Sequence, residues 1–144
     1  MPFIGQFKKS LAVLLFLLTM SAHGMDRLDA LWMIETGGND WTVGKAGEIS
    51  RYQVRANIWR NFTDSREYSS PKTARLVASR VMDQRISAFT AAFKRQPSNF
   101  EYYALWNAPN QAMSGHITRA VAERCHRFCN LCSRPYMELS EVSH

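Results

Sequence analysis

A carboxylate on an apolar helical stripe, followed at once by two glycines, constrains this chain more than any other feature. Leu28, Leu31, Trp32 and Glu35 fall at i, i+3, i+4 and i+7, which puts all four on one helix face. Thr36, Gly37 and Gly38 then end the helix. Such a stripe must be packed against a core, and Glu35 either goes in with it or reaches past it into water. Partial desolvation disfavours the charged form of a carboxylate. The C-terminal end of a helix, which is the negative end of its dipole, does the same. Both raise the pKa of Glu35, and a carboxylic acid held protonated near neutral pH is what a general acid needs. The other reading is a helix-end glutamate in water, because glutamate is rarely buried without a partner.

Residues 1–24 have the layout of a secretory signal peptide. Lys8 and Lys9 precede an apolar run, Leu11 to Met20, that is too short to span a bilayer comfortably. Ala22 and Gly24 supply small residues where a signal peptidase reads. An uncleaved N-terminal anchor is the alternative, and in either case the domain that follows is exported, periplasmic or secreted. The remainder is roughly 120 residues, enough for one domain with one core. It divides into a domain over 25–135 and a polar tail over 136–144. Setting Lys8 and Lys9 aside from the 18 basic residues leaves 16 against 12 acidic ones, a charge of +4. That excess suits an anionic wall polymer or membrane surface, and it also suits ordinary solubility. The basic residues are scattered and no nucleic-acid recognition motif accompanies them.

The domain reads as mainly helical. Asp26 caps a helix running to Glu35. Asn39 to Val54, with Gly44 and Gly47, lacks helical periodicity and reads as turns with a small hairpin. Val54 to Phe62 is expected as a short helix and Thr63 to Ser70 as a polar loop. Ser70 and Pro71 open the longest helix, as cap and first helical residue, to about Arg95. Its stripe is Leu76, Val77, Val81, Met82, Phe89 and Phe93, with Arg75, Arg80, Arg85, Lys94 and Arg95 mostly off it. Ser98 and Glu101 form a capping box for the next helix, so Glu101 has a structural task. That helix ends near Trp106 and Asn107, and Pro109 stops it. Ser114 to Cys132 is the last helix, with Ile117, Val121, Ala122, Cys125, Phe128, Cys129 and Cys132 as its buried stripe.

Cys125, Cys129 and Cys132 are spaced C-x3-C-x2-C. The spacing matches an iron–sulfur signature, but a late amphipathic helix in a small exported chain is the wrong setting for one. A zinc site would need a further ligand such as His126, which points off the stripe. Three small buried apolar residues is the expected role. No metal or organic cofactor is implied.

The block Glu35-Thr36-Gly37-Gly38, then VGKAGEISRYQV and the Ile58-Trp59 pair, resembles the catalytic segment of lysozyme-like glycosidases and lytic transglycosylases. In that superfamily a helix ends in Glu-Ser/Thr-Gly-Gly, a turn or hairpin follows, and a segment from Gly to Tyr/Met-Gln-Ile/Val comes next; here it runs from Gly47 to Val54. ALWNAPN, Ala104 to Asn110, is similar to the family's Ala-x-Tyr/Trp-Asn segment, and AERCHRFCNL is similar to its closing helix. Together the matches cover roughly residues 26–132. The resemblance implies a mainly α, lysozyme-like α+β fold: a helical bundle with a turn or β-hairpin beside an active-site cleft. It implies cleavage of the β-1,4 bonds of peptidoglycan or a chitin-like N-acetylhexosamine polymer by a monomer, with Glu35 as the acid. Ser50, Tyr52 and Gln53 are carried over as sugar-binding residues, with turn or hairpin packing as their alternative. Trp106, where the family more usually has Tyr, and Asn107 are carried over too, with a helix C-cap as the alternative for Asn107. Tyr102 and Tyr103 lie near the same rim, one as core and one facing substrate.

Glu48 stands where transglycosylases of the family have a small apolar residue. It is a candidate base for a hydrolytic water, or a tether for the turn; the departure favours hydrolysis. Ala108-Pro109-Asn110 departs from the family's Gly-rich continuation. A lysozyme-like protein that binds glycan or serves as an assembly part without cleaving is the competing expectation.

Overall fold

A computed structural model describes residues 24–134, which form six helices and one small antiparallel sheet. The expected signal segment, apart from Gly24, and the polar tail lie outside the described residues. Helix α1 spans Arg27–Thr36. Asp26 caps it by accepting from Leu28 N, and Gly37 closes it in the left-handed region at φ 64°, where a residue without Cβ is unstrained. Strands β1 (Glu48–Ile49) and β2 (Val54–Arg55) pair with Glu48 opposite Arg55 and Ile49 opposite Val54. Helix α2, Ala56–Arg60, follows directly. Val54, expected in this helix, is in the strand before it.

Helix α3 runs from Pro71 to Phe93 with Ser70 as its cap, and Lys94 in the left-handed region ends it. Helix α4, Asn99–Asn107, has the expected capping box. Arg95 also pairs with Glu101, and together these hold its carboxyl down to about 2. Pro109 does stop α4, but it also starts a separate short helix, α5, Pro109–Ser114. That places the last helix, α6, at Arg119–Ser133, five residues later than expected. Gly115, with φ 74°, turns the chain between them.

The core gathers on α4 and α6. Phe128 stacks on Tyr102 at 5.7 Å and meets Tyr103 at 5.4 Å. Leu31, Tyr52, Trp59, Val77 and Phe89 complete it, all 0–1% exposed. Arg75 ties α3 to the start of α1 through Asp26 and Asp29. The expected stripe on α3 needs correcting, because Leu76 and Phe93 are 48% and 42% exposed. The stripe that packs is Ala74, Val77, Ala78, Val81, Met82 and Phe89, centred one residue away. On α6 only Cys125 of the three cysteines is fully buried; Cys129 and Cys132 are half-buried near the end of the helix. Among the described residues, no helix is long and apolar enough to cross a membrane.

Candidate active site

Glu35 lies in the last turn of α1, where the helix runs out onto the wall of a cleft of about 630 Å³. Its own stripe holds it there. Leu31, one turn earlier, is completely buried, so the carboxyl is drawn in with the apolar face and remains only half-buried. Tyr103 Oη, rising from α4, donates to Glu35 Oε1 at 2.9 Å. Burial raises the pKa of Glu35 above its ordinary value. The Tyr103 hydrogen bond and the nearby charge of Arg124 pull it back, and Glu48 pushes it up again. The net effect leaves the pKa of Glu35 above the ordinary glutamate value. Tyr103 is itself driven upward by burial and by the carboxylate it faces, so its phenol remains a donor.

Glu48 lines the same cleft from β1. Its Oε2 accepts from Ala46 N at 3.0 Å, and its own carbonyl accepts from Gly44 N at 2.9 Å. The turn from Gly44 to Gly47 is thus wrapped around the Glu48 side chain. A Cβ on Gly44 would overlap Glu48 Oε2 and Gln53 Oε1, which is why glycine occupies that position. Glu48 thus tethers the turn, as one of its two expected tasks requires, and it also lines the cleft.

The hairpin loop divides the other candidates. Gln53 lines the cleft with φ 52°, an uncommon conformation for a residue with a side chain. Its Nε2 donates to Thr42 O at 2.9 Å and to Ser50 O at 3.2 Å. Both amide hydrogens are consumed by the backbone, so only Oε1 is left to accept from a ligand. Ser50 and Tyr52 are absent from the cleft wall, so the sugar-binding expectation gives way to its alternative, turn and hairpin packing. Ser50, at φ 66°, is 4% exposed, and its hydroxyl accepts from Tyr52 N within the loop. Tyr52 is completely buried and meets Trp106 edge-on at 6.4 Å. Within the turn between the strands, Tyr52 takes the core side while Gln53 takes the cleft side.

Trp106 and Asn107 do line the cleft, at the end of α4. Of the tyrosine pair, neither is open to a ligand: Tyr102 is 5% exposed and Tyr103 is fully buried, reaching Glu35 from behind. Asp40 and Arg51, paired at 2.6 Å, fasten the loop after α1; the Arg51 guanidinium also lies 3.7 Å from the centre of the Trp32 ring. Thr36 Oγ1 donates to Arg51 O and closes the same junction.

Sequence reasoning did not anticipate several contributors, Tyr103, Arg85 and Arg124 among them. Tyr103 as the partner of Glu35 depends on a contact across 68 positions, which no local spacing reveals. Arg85 belongs to the set expected off the apolar stripe of α3, yet it lines the cleft and bonds the end of α4. Among the described residues, no group of three or more His, Cys, Asp or Glu is placed to hold a metal ion. The arrangement brings together a protonatable carboxyl, a second carboxylate and several cations around a cleft whose volume is in the range of small-molecule sites. A scan against protein-family models, a search of curated proteins and a search of solved structures each returned no match to this chain.

Proposed function

We propose that this chain is an exported lysozyme-like glycosidase that cleaves the β-1,4 bonds of peptidoglycan or a related N-acetylhexosamine polymer. The observation that carries the reading is Glu35: a half-buried carboxyl, raised in pKa by its burial, gripped by Tyr103 and set on the wall of a cleft. Glycosidic cleavage needs a proton delivered to the leaving oxygen as positive charge develops on the sugar. Glu35 is the donor. Tyr103 holds Oε1, which fixes the carboxyl plane and leaves Oε2 to carry and deliver the proton. The hydrogen bond then stabilises the carboxylate that remains after transfer.

Glu48 is the second carboxylate. With Oε2 held by Ala46 N, Oε1 is available to orient a water, and the reading is hydrolysis. In a transglycosylase the sugar's own hydroxyl attacks and this group is dispensable. Gln53 Oε1, Trp106 and Asn107 contribute to the walls that hold the sugar chain.

Incubation with purified cell wall tests the reading. The wild type is expected to release soluble muropeptides, and Glu35→Gln to lose at least ~10²-fold of that activity. For hydrolysis, Glu48→Gln should lose nearly as much, with ordinary reducing ends on the products. A mild loss with anhydro-muramyl ends, one water lighter, would assign transglycosylation. Full activity in Glu35→Gln, or wild-type protein that sediments with the wall and releases nothing, would replace catalysis by glycan binding.

A further inference from the structure

Arg85 reaches from α3 to the C-terminal end of α4. Its Nη1 donates to Leu105 O at 2.8 Å and to Trp106 O at 2.7 Å. A guanidinium carries five N–H donors, and these two bonds use both hydrogens on Nη1. Nε–H and the two Nη2 hydrogens meet no acceptor among the described residues, and no carboxylate there pairs with Arg85. Nε and Nη2 together form the side-on edge that a carboxylate meets with two parallel hydrogen bonds. A helix-capping role explains Nη1 alone and leaves this edge idle.

The surroundings favour an anion. Arg85 is half-buried without a counter-charge, and that burial pushes its pKa down. A partly desolvated cation is stabilised when an anion joins it. Lys45, Arg55 and Arg124 line the same cleft, so four cations face two glutamates, one of them biased toward its neutral form. The field inside the cleft is positive and draws in anionic strands.

We propose that Arg85 sets the specificity of the cleft: its free Nε–Nη2 edge binds a carboxylate on the glycan. The inference rests on the glycosidase reading and narrows its substrate class to carboxylate-bearing strands, with neutral chitin-like polymers disfavoured. Two sources carry this chemistry in peptidoglycan, the lactyl carboxylate of the sugar and the carboxylates of the peptide stem.

The test compares four materials: glycan strands stripped of peptide, which expose the lactyl group; strands with stems intact; and each of these after chemical amidation of its carboxylates. kcat/KM is measured for the wild type, Arg85→Gln and Arg85→Lys. The wild type is expected to prefer the free-carboxylate form of one strand type by ~10-fold or more, as for loss of a charge-assisted hydrogen bond. The strand type showing the preference identifies the source. The ratio should fall to about one in Arg85→Gln and to an intermediate value in Arg85→Lys, which keeps the charge without the fork. Loosened packing at the end of α4 acts on both members of a pair and leaves their ratio unchanged; melting curves report it separately. If Arg85→Gln does not fold, the fall in Arg85→Lys decides. A wild-type ratio near one, or a preference undiminished in the variants, overturns the assignment of Arg85 while cleavage itself upholds the glycosidase reading. Failure of the wild type to cleave any of the four materials overturns both.

Discussion

In the proposed reaction Glu35 serves as the acid, and two opposed influences meet on it. Burial raises its pKa, and the Tyr103 hydroxyl lowers it by hydrogen bonding to the carboxylate. Tyr103→Phe removes the second influence and keeps the ring in the core. The pKa of Glu35 should then rise further, so the loss of activity at high pH moves to still higher pH. The kcat at the optimum should fall ~10-fold, because a carboxyl without its partner is less well aimed. A pH–rate profile with an unmoved basic limb would show that Tyr103 only fills space. The stability of the fold carries the same sign. Glu35 titrates above its ordinary 4.5, so its favourable contribution is complete below pH 4.5 and is lost as pH rises through the raised value. Glu35→Gln should therefore gain melting temperature over the wild type in that window and above it, with no gain below it.

At the scale of elements, the turn and hairpin between α1 and α2 set the cleft wall. Ser50 and Gln53 both adopt positive φ in a four-residue loop between β1 and β2, strain of about 1–3 kcal/mol for each. The strain is offset by the bonds from Gln53 Nε2 to Thr42 O and Ser50 O, which also join the loop to the segment after α1. Gly44 is the closest point of this contact. Gly44→Ala places a methyl group against Glu48 and Gln53, so the Glu48 side chain must leave Ala46 N and the turn must loosen. The expected destabilisation is about 1–3 kcal/mol, the usual effect of overpacking. Activity should drop toward that of Glu48→Gln, since the same carboxylate is displaced. Thermal melting and wall cleavage measured together check this; an unchanged melting temperature would mean that the turn yields freely.

The described residues form a core of α3, α4 and α6 to which α1 and the hairpin are attached, and the cleft is lined from all of these parts. The aromatic cluster of Tyr102, Tyr103 and Phe128 is therefore both the centre of the fold and the rear support of the acid. The proposed substrate lies outside the cytoplasm, so the proposal requires an exported chain. Cleavage of the leader should leave an exported protein whose N-terminal sequence begins near His23 or Met25. An exported form that begins at Met1 would refute the leader and leave the segment as an anchor.

What the sequence determined by itself is local. Asp26, Ser70 and Ser98 announce the starts of α1, α3 and α4, because a cap needs only its own side chain and a backbone N–H two or three residues away. The hairpin between Glu48 and Arg55 is legible from its glycines and missing helical period, and Glu35 from its place on a stripe. Pattern fails where a local rule has two outcomes: Pro109 ends one helix and starts another, since a proline is equally suited to the first helical position. The residue types favour packing for the aromatic Tyr52 over the amide Gln53, but only the fold puts Tyr52 in the core and Gln53 on the cleft wall. Only the tertiary structure decided that Tyr103 holds the acid and that Arg85, off the stripe of its own helix, faces the cleft rather than solvent. Both follow from packing between elements far apart in sequence, and such contacts leave no periodic trace in the chain.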